Sequence, residues 1–305
     1  MYEQYVNQSR LLLQLLPLIK KYPHFALKGG TAINFFIRDF PRLSVDIDLS
    51  YIKINSREEA LTEITSSMES LDTEIKRRFN GSRTTIKRKS DGSINGMIIQ
   101  HENATVKVEP NQVIRGTVHP PEIRTLSNKA TEFFKMEIDF PVLSLPDLYG
   151  GKICAALDRQ HPRDLFDMHQ LLENKEFDRS VFEAFLVYLI SHPRPMAELI
   201  NPNRKDISDS FEKEFKTMTD LNISLENLVQ TREELIFLIQ SSFNDNDKSF
   251  LLSLKDNSPQ WDLLNVKHAS TMPAVIWKCM NIGKMKEVDR ELAWVKLEKT
   301  LNEEF

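Results

Sequence analysis

Asp46 and Asp48 stand in Val45-Asp46-Ile47-Asp48-Leu49, where acidic and apolar residues alternate. That period is the mark of a half-buried strand, and residues two apart on a strand project from one face. Two carboxylates so placed repel, and one takes up a proton unless a cation lies between them. Hard oxygen donors of this kind suit Mg²⁺. A solvated strand edge explains the same pattern, so the pair alone decides nothing. Gly29-Gly30, upstream, follows the apolar stretch Phe25-Ala26-Leu27 and Lys28 and precedes Thr31. Glycines at a strand-to-helix turn let a phosphate approach the backbone, and Thr31 is expected to cap the helix that follows, through Phe36. Together the two features put a triphosphate cradle beside a metal site.

Glu109 closes the polar face of Thr105-Val106-Lys107-Val108-Glu109. Beside the Asp46 strand it would supply a third carboxylate, able to share a second metal or take a proton from an attacking hydroxyl. It reads equally well as a surface glutamate paired with Lys107. Further on, Lys152 follows Gly150-Gly151, and Arg163, Asp164 and Asp167 lie in His161-Pro-Arg-Asp-Leu-Phe-Asp167. The spacing lets Arg163, Asp164 and Asp167 share a helix face, either as a salt-bridged helix start or, with Lys152, as charges for phosphate oxygens.

These residues need elements to position them. Residues 4–20 read as an apolar helix, 25–28 and 45–49 as strands, and 57–79 as a polar amphipathic helix. Strand character recurs at 83–89, 94–101, 104–109, 112–118 and 133–138. After Pro141 the pattern turns helical, with helices expected at 145–158, 164–172, 180–191, 208–218, 224–242, 247–254 and 285–301. The expected fold is α/β (α+β): a mixed sheet flanked by helices over residues 1–140, then a helical region over 141–305 that completes the active site and holds the acceptor.

Composition narrows the classes. The chain of 305 residues has 40 Lys and Arg against 44 Asp and Glu, a net charge of −4, so it is no globally basic nucleic-acid binder. A local patch does exist: Lys76, Arg77, Arg78, Arg83, Lys87, Arg88 and Lys89 with no acid among them. Such a run can track RNA phosphates, or simply be a solvated helix end and hairpin. Cys154 and Cys279 are the only cysteines, which excludes a disulfide scaffold or cysteine-based zinc module and suits a reducing cytosol. The apolar stretch from Leu11 to Ile19 is broken by Gln14 and Pro17 and is too short for a bilayer, so no membrane partner is expected. His24, His101, His161 and His169 show no ligand-like pairing, Cys154 reads as a core residue, and Trp261, Trp277 and Trp294 as packing for the helical half.

Taken in order, Leu27-Lys28-Gly29-Gly30-Thr31-Ala32, Arg42-Leu43-Ser44-Val45-Asp46-Ile47-Asp48-Leu49, Val106-Lys107-Val108-Glu109, and Lys152 with Arg163-Asp164-Leu165-Phe166-Asp167 resemble the AbiEii/AbiGii nucleotidyltransferase-like toxin family. The family belongs to the DNA polymerase β-like nucleotidyltransferases and supplies the toxins of type IV toxin–antitoxin and abortive-infection systems. The resemblance implies a nucleotidyltransferase fold, an NTP donor, Mg²⁺, two ions being expected, and nucleotide transfer to RNA, the tRNA 3′ end in characterised relatives. It further implies an antitoxin encoded nearby and a cytoplasmic setting.

Residue by residue, it makes Asp46 and Asp48 metal ligands, with Glu109 as the third. Lys28, Gly29, Gly30, Thr31, Arg42, Ser44, Lys152 and Arg163 face the nucleotide, and Lys152 with Asp164 or Asp167 matches a later motif in which a lysine and an acid are important for activity. Ser44 matches a serine that is modified in some relatives to silence the toxin. Gly29-Gly30 stands where the wider superfamily often has Gly-Ser. The competing readings are transfer to a small molecule or a protein hydroxyl, a kinase-like passage of the γ-phosphate, and a non-catalytic binding protein on the same scaffold.

Overall fold

The computed structural model describes residues 2–303 and divides into two units: Met1–Leu148 with Glu214–Asn222, and Tyr149–Lys213 with Ile223–Phe305. The sequence places the change of character at Pro141; the contacts place it after Leu148, within one helix, and return a short later segment to the first unit.

The first unit opens on α1 (Glu3–Ile19), whose leucines at 11, 12, 13, 15, 16 and 18 are all buried. Pro17 is accommodated in its last turns. The sheet runs in the order β3 (Arg83–Arg88), β4 (Ile94–His101), β5 (Ala104–Arg115), β2 (Asp46–Tyr51), β1 (Phe25–Lys28), β7 (Asp139–Val142), β6 (Glu122–Thr125). β2 is antiparallel to β1 and parallel to β5, so the central strand carrying the two aspartates has a neighbour on each side. Between β1 and β2 the chain forms α2 (Gly29–Ala32), continued by a π-helical turn over Ile33–Ile37. α3 (Arg57–Arg78) follows β2. Ser56 and Glu59 close a capping box at its start, and Lys76, Arg77 and Arg78 sit in its last turn, each end matching the helix dipole.

Several expectations change here. Thr31 lies inside α2 and caps nothing; its hydroxyl is used elsewhere. The segments 104–109 and 112–118 are largely one strand, β5, with a register irregularity opposite Ser50 and Tyr51. The stretch 133–138 is no strand. Phe133 and Phe134 end α4 (Asn128–Phe134), because Phe134 is buried against Phe35 and Phe40, and aromatic packing overrides local β preference.

The second unit is helical, beginning within α5 (Leu145–Arg159) and continuing with α6 (Pro162–Glu173), α7 (Arg179–Ser191), α8 (Met196–Ile200) and α9 (Ser208–Ser210). Short π and 3-10 turns at Phe211–Phe215 and Lys216–Met218 lead to α10 (Leu225–Ser241) and α11 (Asp245–Lys255); after two further 3-10 turns, α12 (Pro273–Gly283) and α13 (Glu287–Asn302) complete it. α8 and α12 carry no expectation from the sequence, α8 for its brevity. Trp277 is half exposed on α12 and does not serve the core. No helix among the described residues is long and apolar enough to cross a membrane.

Gly150 lets α5 press against α7: an added Cβ would lie 2.7 Å from the Phe185 nitrogen and 2.8 Å from the Ala184 carbonyl carbon. Backbone atoms cannot yield as a side chain can. Gly150→Ala is therefore expected to cost about 1–3 kcal/mol in chemical denaturation, and an unchanged midpoint would contradict this packing.

Candidate active site

Strand register builds the centre of the site. In the parallel pair β2/β5, Asp46 is opposite Lys107 and Asp48 opposite Glu109; in the antiparallel pair β1/β2, Lys28 is opposite Asp48. Residues in register project from the same side of a sheet. One face therefore carries the row Lys28–Asp48–Glu109 and, beside it, the row Asp46–Lys107. Ile47, Leu49, Val106 and Val108 point to the opposite face and are fully buried, which locks the register that keeps the acids outward.

The Lys107 ammonium is 2.9 Å from Glu109 Oε1. Its pKa is raised, first by that hydrogen bond, which outweighs the opposing effect of burial, and then by the charges of Asp46 and Asp48.

The glycyl bend lies against this face. Gly29 has φ of 71°, in the region that side chains avoid, and an added Cβ would lie 2.5 Å from Asp48 Oδ2. At Gly30 the corresponding Cβ would lie 2.5 Å from Arg42 Nη2. The bend is thus held close to one carboxylate and one guanidinium. The Thr31 hydroxyl donates to the Asp46 carbonyl at 2.6 Å and sits 2.8 Å from Ser44 Oγ, fastening the start of β2 to α2. Ser44 is buried, and its carbonyl accepts from Ser9 at 2.8 Å. Arg42 is buried and donates to the Leu43 carbonyl at 2.8 Å. The stretch of backbone carrying Arg42 and Ser44 is completed from far along the chain: Leu43 N–H donates to the Met218 carbonyl, and Thr219 Oγ1 to the Pro41 carbonyl.

Within the second unit, Lys152 is buried. Its ammonium is 3.0 Å from Asp164 Oδ1 and 2.9 Å from Asp167 Oδ2, and Arg159 reaches Asp164 at 2.9 Å. Burial pushes the Asp164 carboxyl up, but Lys152 and Arg159 outweigh it and hold the group below its ordinary value. Arg163 is half-buried at the start of α6, where His161 caps its backbone N–H. The lysine is thus a brace between α5 and α6, charge-balanced by two acids.

The basic run from 76 to 89 is partly neutralised. Lys76 pairs with Asp72, Arg78 with Glu74 at 3.0 Å and Arg77 with it at 3.8 Å, and Arg88 with Glu69 at 2.7 Å. Lys89 donates to Gln112. Arg83 and Lys87 project from the exposed side of the edge strand β3, with no ion pair found for them among the described residues. His24 is buried, bonded to Ser67 at 3.0 Å and beside Glu63, a core role in keeping with its isolation in the sequence. Burial raises the Cys154 thiol, which leaves it protonated and inert.

As the side chains stand, no three His, Cys, Asp or Glu among the described residues are gathered to hold a metal. The donor set nevertheless fits a hard divalent cation. Three carboxylates share one sheet face, and the concavity beneath Gly29 is one that a single Cβ would fill. Lys107 is visible in the sequence only as Glu109's companion; its spacing on the polar face of β5, matched to Asp46 by parallel pairing, is the signal that makes it part of the site.

Gly29→Ala is expected to cost about 1–2 kcal/mol for the left-handed backbone, plus the displacement of Asp48. Gly81 shares the positive φ with nothing near its Cβ. Gly81→Ala should therefore be the milder change in urea denaturation, and equal effects would show that Asp48 is not under the bend. Lys152→Met takes the shared ammonium from two buried carboxylates and should cost about 3–5 kcal/mol, roughly a 10 °C fall in melting temperature. Because the folded value of Asp164 lies below its unfolded one, the stabilisation it gives is present above about pH 4 and lost as pH falls through the folded value. Melting curves from pH 6 to pH 3 should therefore converge for wild type and Asp164→Asn.

The family described as nucleotidyl transferase AbiEii toxin of type IV toxin–antitoxin systems matches residues 10–263. Among solved structures the chain is similar to MenT4, a nucleotidyltransferase toxin from Mycobacterium tuberculosis H37Rv. The identity is 14%, the TM-score 0.58, and 96% of this chain and 93% of that chain are covered. At that identity the likeness speaks for the fold. No curated protein matches the sequence. With the family match spanning most of the chain and the sheet, glycyl bend and paired aspartates in place, the protein belongs to the AbiEii family, the nucleotidyltransferase toxins of type IV toxin–antitoxin systems.

Proposed function

We propose that the chain transfers nucleotide from a nucleoside triphosphate to an RNA hydroxyl, the 3′ end of a tRNA, in a Mg²⁺-dependent reaction that releases pyrophosphate. The observation that carries this reading is the single sheet face on which Asp46, Asp48 and Glu109 stand in register beside the Gly29 bend. Asp46, Asp48 and Glu109 would hold Mg²⁺, which supplies charge neutralisation for the triphosphate and acidifies an attacking hydroxyl.

The chain's own residues do the positioning. Gly29 and Gly30 leave the backbone open to phosphate oxygens where any side chain would intrude. Thr31 fixes the start of β2 and so the direction of Asp46. Lys28 and Arg42 add positive charge at the bend, and Ser44 anchors the approach to β2 through Thr31 and Ser9. Phosphoryl chemistry asks little else of a protein than this alignment and electrostatic balance. Lys152, Asp164 and Asp167 have a positioning role in the second unit, keeping the start of α6 and Arg163 in place.

The exposed cations Arg83 and Lys87, with Arg77, Arg78, Arg88 and Lys89 nearby in sequence, are assigned to the RNA backbone, which gives binding that weakens steeply with salt. A cytoplasmic site of action follows from a tRNA acceptor, and a cognate antitoxin from membership of the family.

The test supplies each labelled NTP with Mg²⁺ and, separately, tRNA, total protein and small hydroxyl compounds. Label is expected on tRNA alone, with Asp46→Ala and Asp48→Asn reduced by about a thousandfold or more while their melting curves stay cooperative. Incorporation retained in Asp46→Ala would overturn the site; label on protein or a small molecule would overturn the acceptor.

A further inference from the structure

The face that bears three carboxylates also bears an ammonium group. Building on the reading of this face as a metal site, we propose that Lys107 is its built-in counter-ion. It neutralises Glu109 and screens Asp46 and Asp48 while no divalent ion is bound, and it must leave Glu109 for one to bind, thereby setting the metal concentration at which the site is filled.

The geometry supplies each step. Lys107 is the register neighbour of Asp46 across the β2/β5 pair, and two residues before Glu109 on the same side of β5. Its Nζ lies 2.9 Å from Glu109 Oε1, so its charge competes with a metal for that carboxylate. Both side chains are a little over one third exposed, so the pair is open to exchange with an ion from solvent rather than sealed in the core.

The other cations on this part of the sheet are placed differently. Lys28 is opposite Asp48 on β1, and Arg42 faces Gly30 at the bend. Neither is in register with Asp46 or on the Glu109 strand. Lys107 alone among them is next to both the first and the third acid.

Like charges on adjacent positions of a sheet destabilise it. Three carboxylates on one face therefore need positive charge in the empty protein, and the ammonium of Lys107 is the part of it that touches Glu109. A divalent ion brings twice the charge and several coordination bonds, so it can outcompete the lysine, at an affinity lowered by the displacement. The strand thus carries both a ligand and that ligand's competitor two residues apart.

The experiment titrates nucleotide-free, full-length protein with MgCl₂ by calorimetry and by melting temperature, for wild type, Lys107→Met, Lys107→Gln, Lys107→Arg and Asp46→Asn. Removing the ammonium is expected to tighten Mg²⁺ binding by about three- to tenfold, the order of one screened charge at a partly exposed site. It should also lower the metal-free melting temperature by a few degrees and enlarge the rise on adding Mg²⁺. Lys107→Arg should stay near wild type.

Unchanged or weaker Mg²⁺ binding in folded Lys107→Met and Lys107→Gln overturns the proposal. So does weaker binding of Mg²⁺–nucleotide without tighter binding of Mg²⁺, which would assign the ammonium to phosphate. Asp46→Asn separates the two readings. If wild type binds no Mg²⁺, or Asp46→Asn binds it as well as wild type, the metal site itself is wrong; if Asp46→Asn loses binding while the Lys107 variants match wild type, only the counter-ion is wrong.

Discussion

Mutual repulsion among Asp46, Asp48 and Glu109 is the constraint around which the first unit is organised. Register between β2 and β5 forces the acids onto one side, and the fully buried Ile47, Leu49, Val106 and Val108 on the other prevent a slip that would relieve it. A hydrophobic pattern with no alternative register is what allows an unfavourable polar arrangement to persist. The surroundings answer the repulsion piece by piece, with Lys107 across from Asp46, Lys28 across from Asp48, and Arg42 at the bend.

Elsewhere the protein treats acids differently. Asp147, almost fully buried, accepts the backbone N–H groups of Val118 and His119 at 2.8 Å each and the Ser144 hydroxyl at 2.8 Å, so hydrogen bonds replace its water. Asp164 and Asp167 share one ammonium and are removed from solvent. The three acids of the sheet face are only half-buried. Unlike Asp147, Asp164 and Asp167, these carboxylates stay within reach of solvent, in register and beside a glycyl bend.

Much of this is legible in the residues. The alternation in Val45–Leu49 places the aspartates on one face because strand geometry admits no other outcome, and the Gly29-Gly30 bend is legible because so few residues tolerate a positive φ. The helices over 57–79, 145–158 and 224–242 are legible from residue pattern, and the structure adds the caps Ser56 and Ser224. What sequence alone does not carry is pairing. That β2 runs parallel to β5, which is what brings Lys107 to Asp46, depends on a crossover through α3, β3 and β4 and has no local signature. The surroundings of Lys152 are hidden for the same reason: that its ammonium lies between Asp164 and Asp167 follows from how α5 and α6 pack, not from the spacing of the residues. The strand expectation at 133–138 fails because Phe134 takes its place among aromatic neighbours that only the tertiary fold assembles.

The segment Glu214–Asn222 belongs with the first unit although much of the second is threaded before it and the rest comes after. Its Met218 and Thr219 complete the hydrogen bonding of Pro41 and Leu43, which flank Arg42. During synthesis, then, the stretch bearing Arg42 and Ser44 remains unfinished until Met218 and Thr219 have emerged from the ribosome. A nascent chain would carry every acid of the sheet face yet lack the two hydrogen bonds that hold the backbone on either side of Arg42.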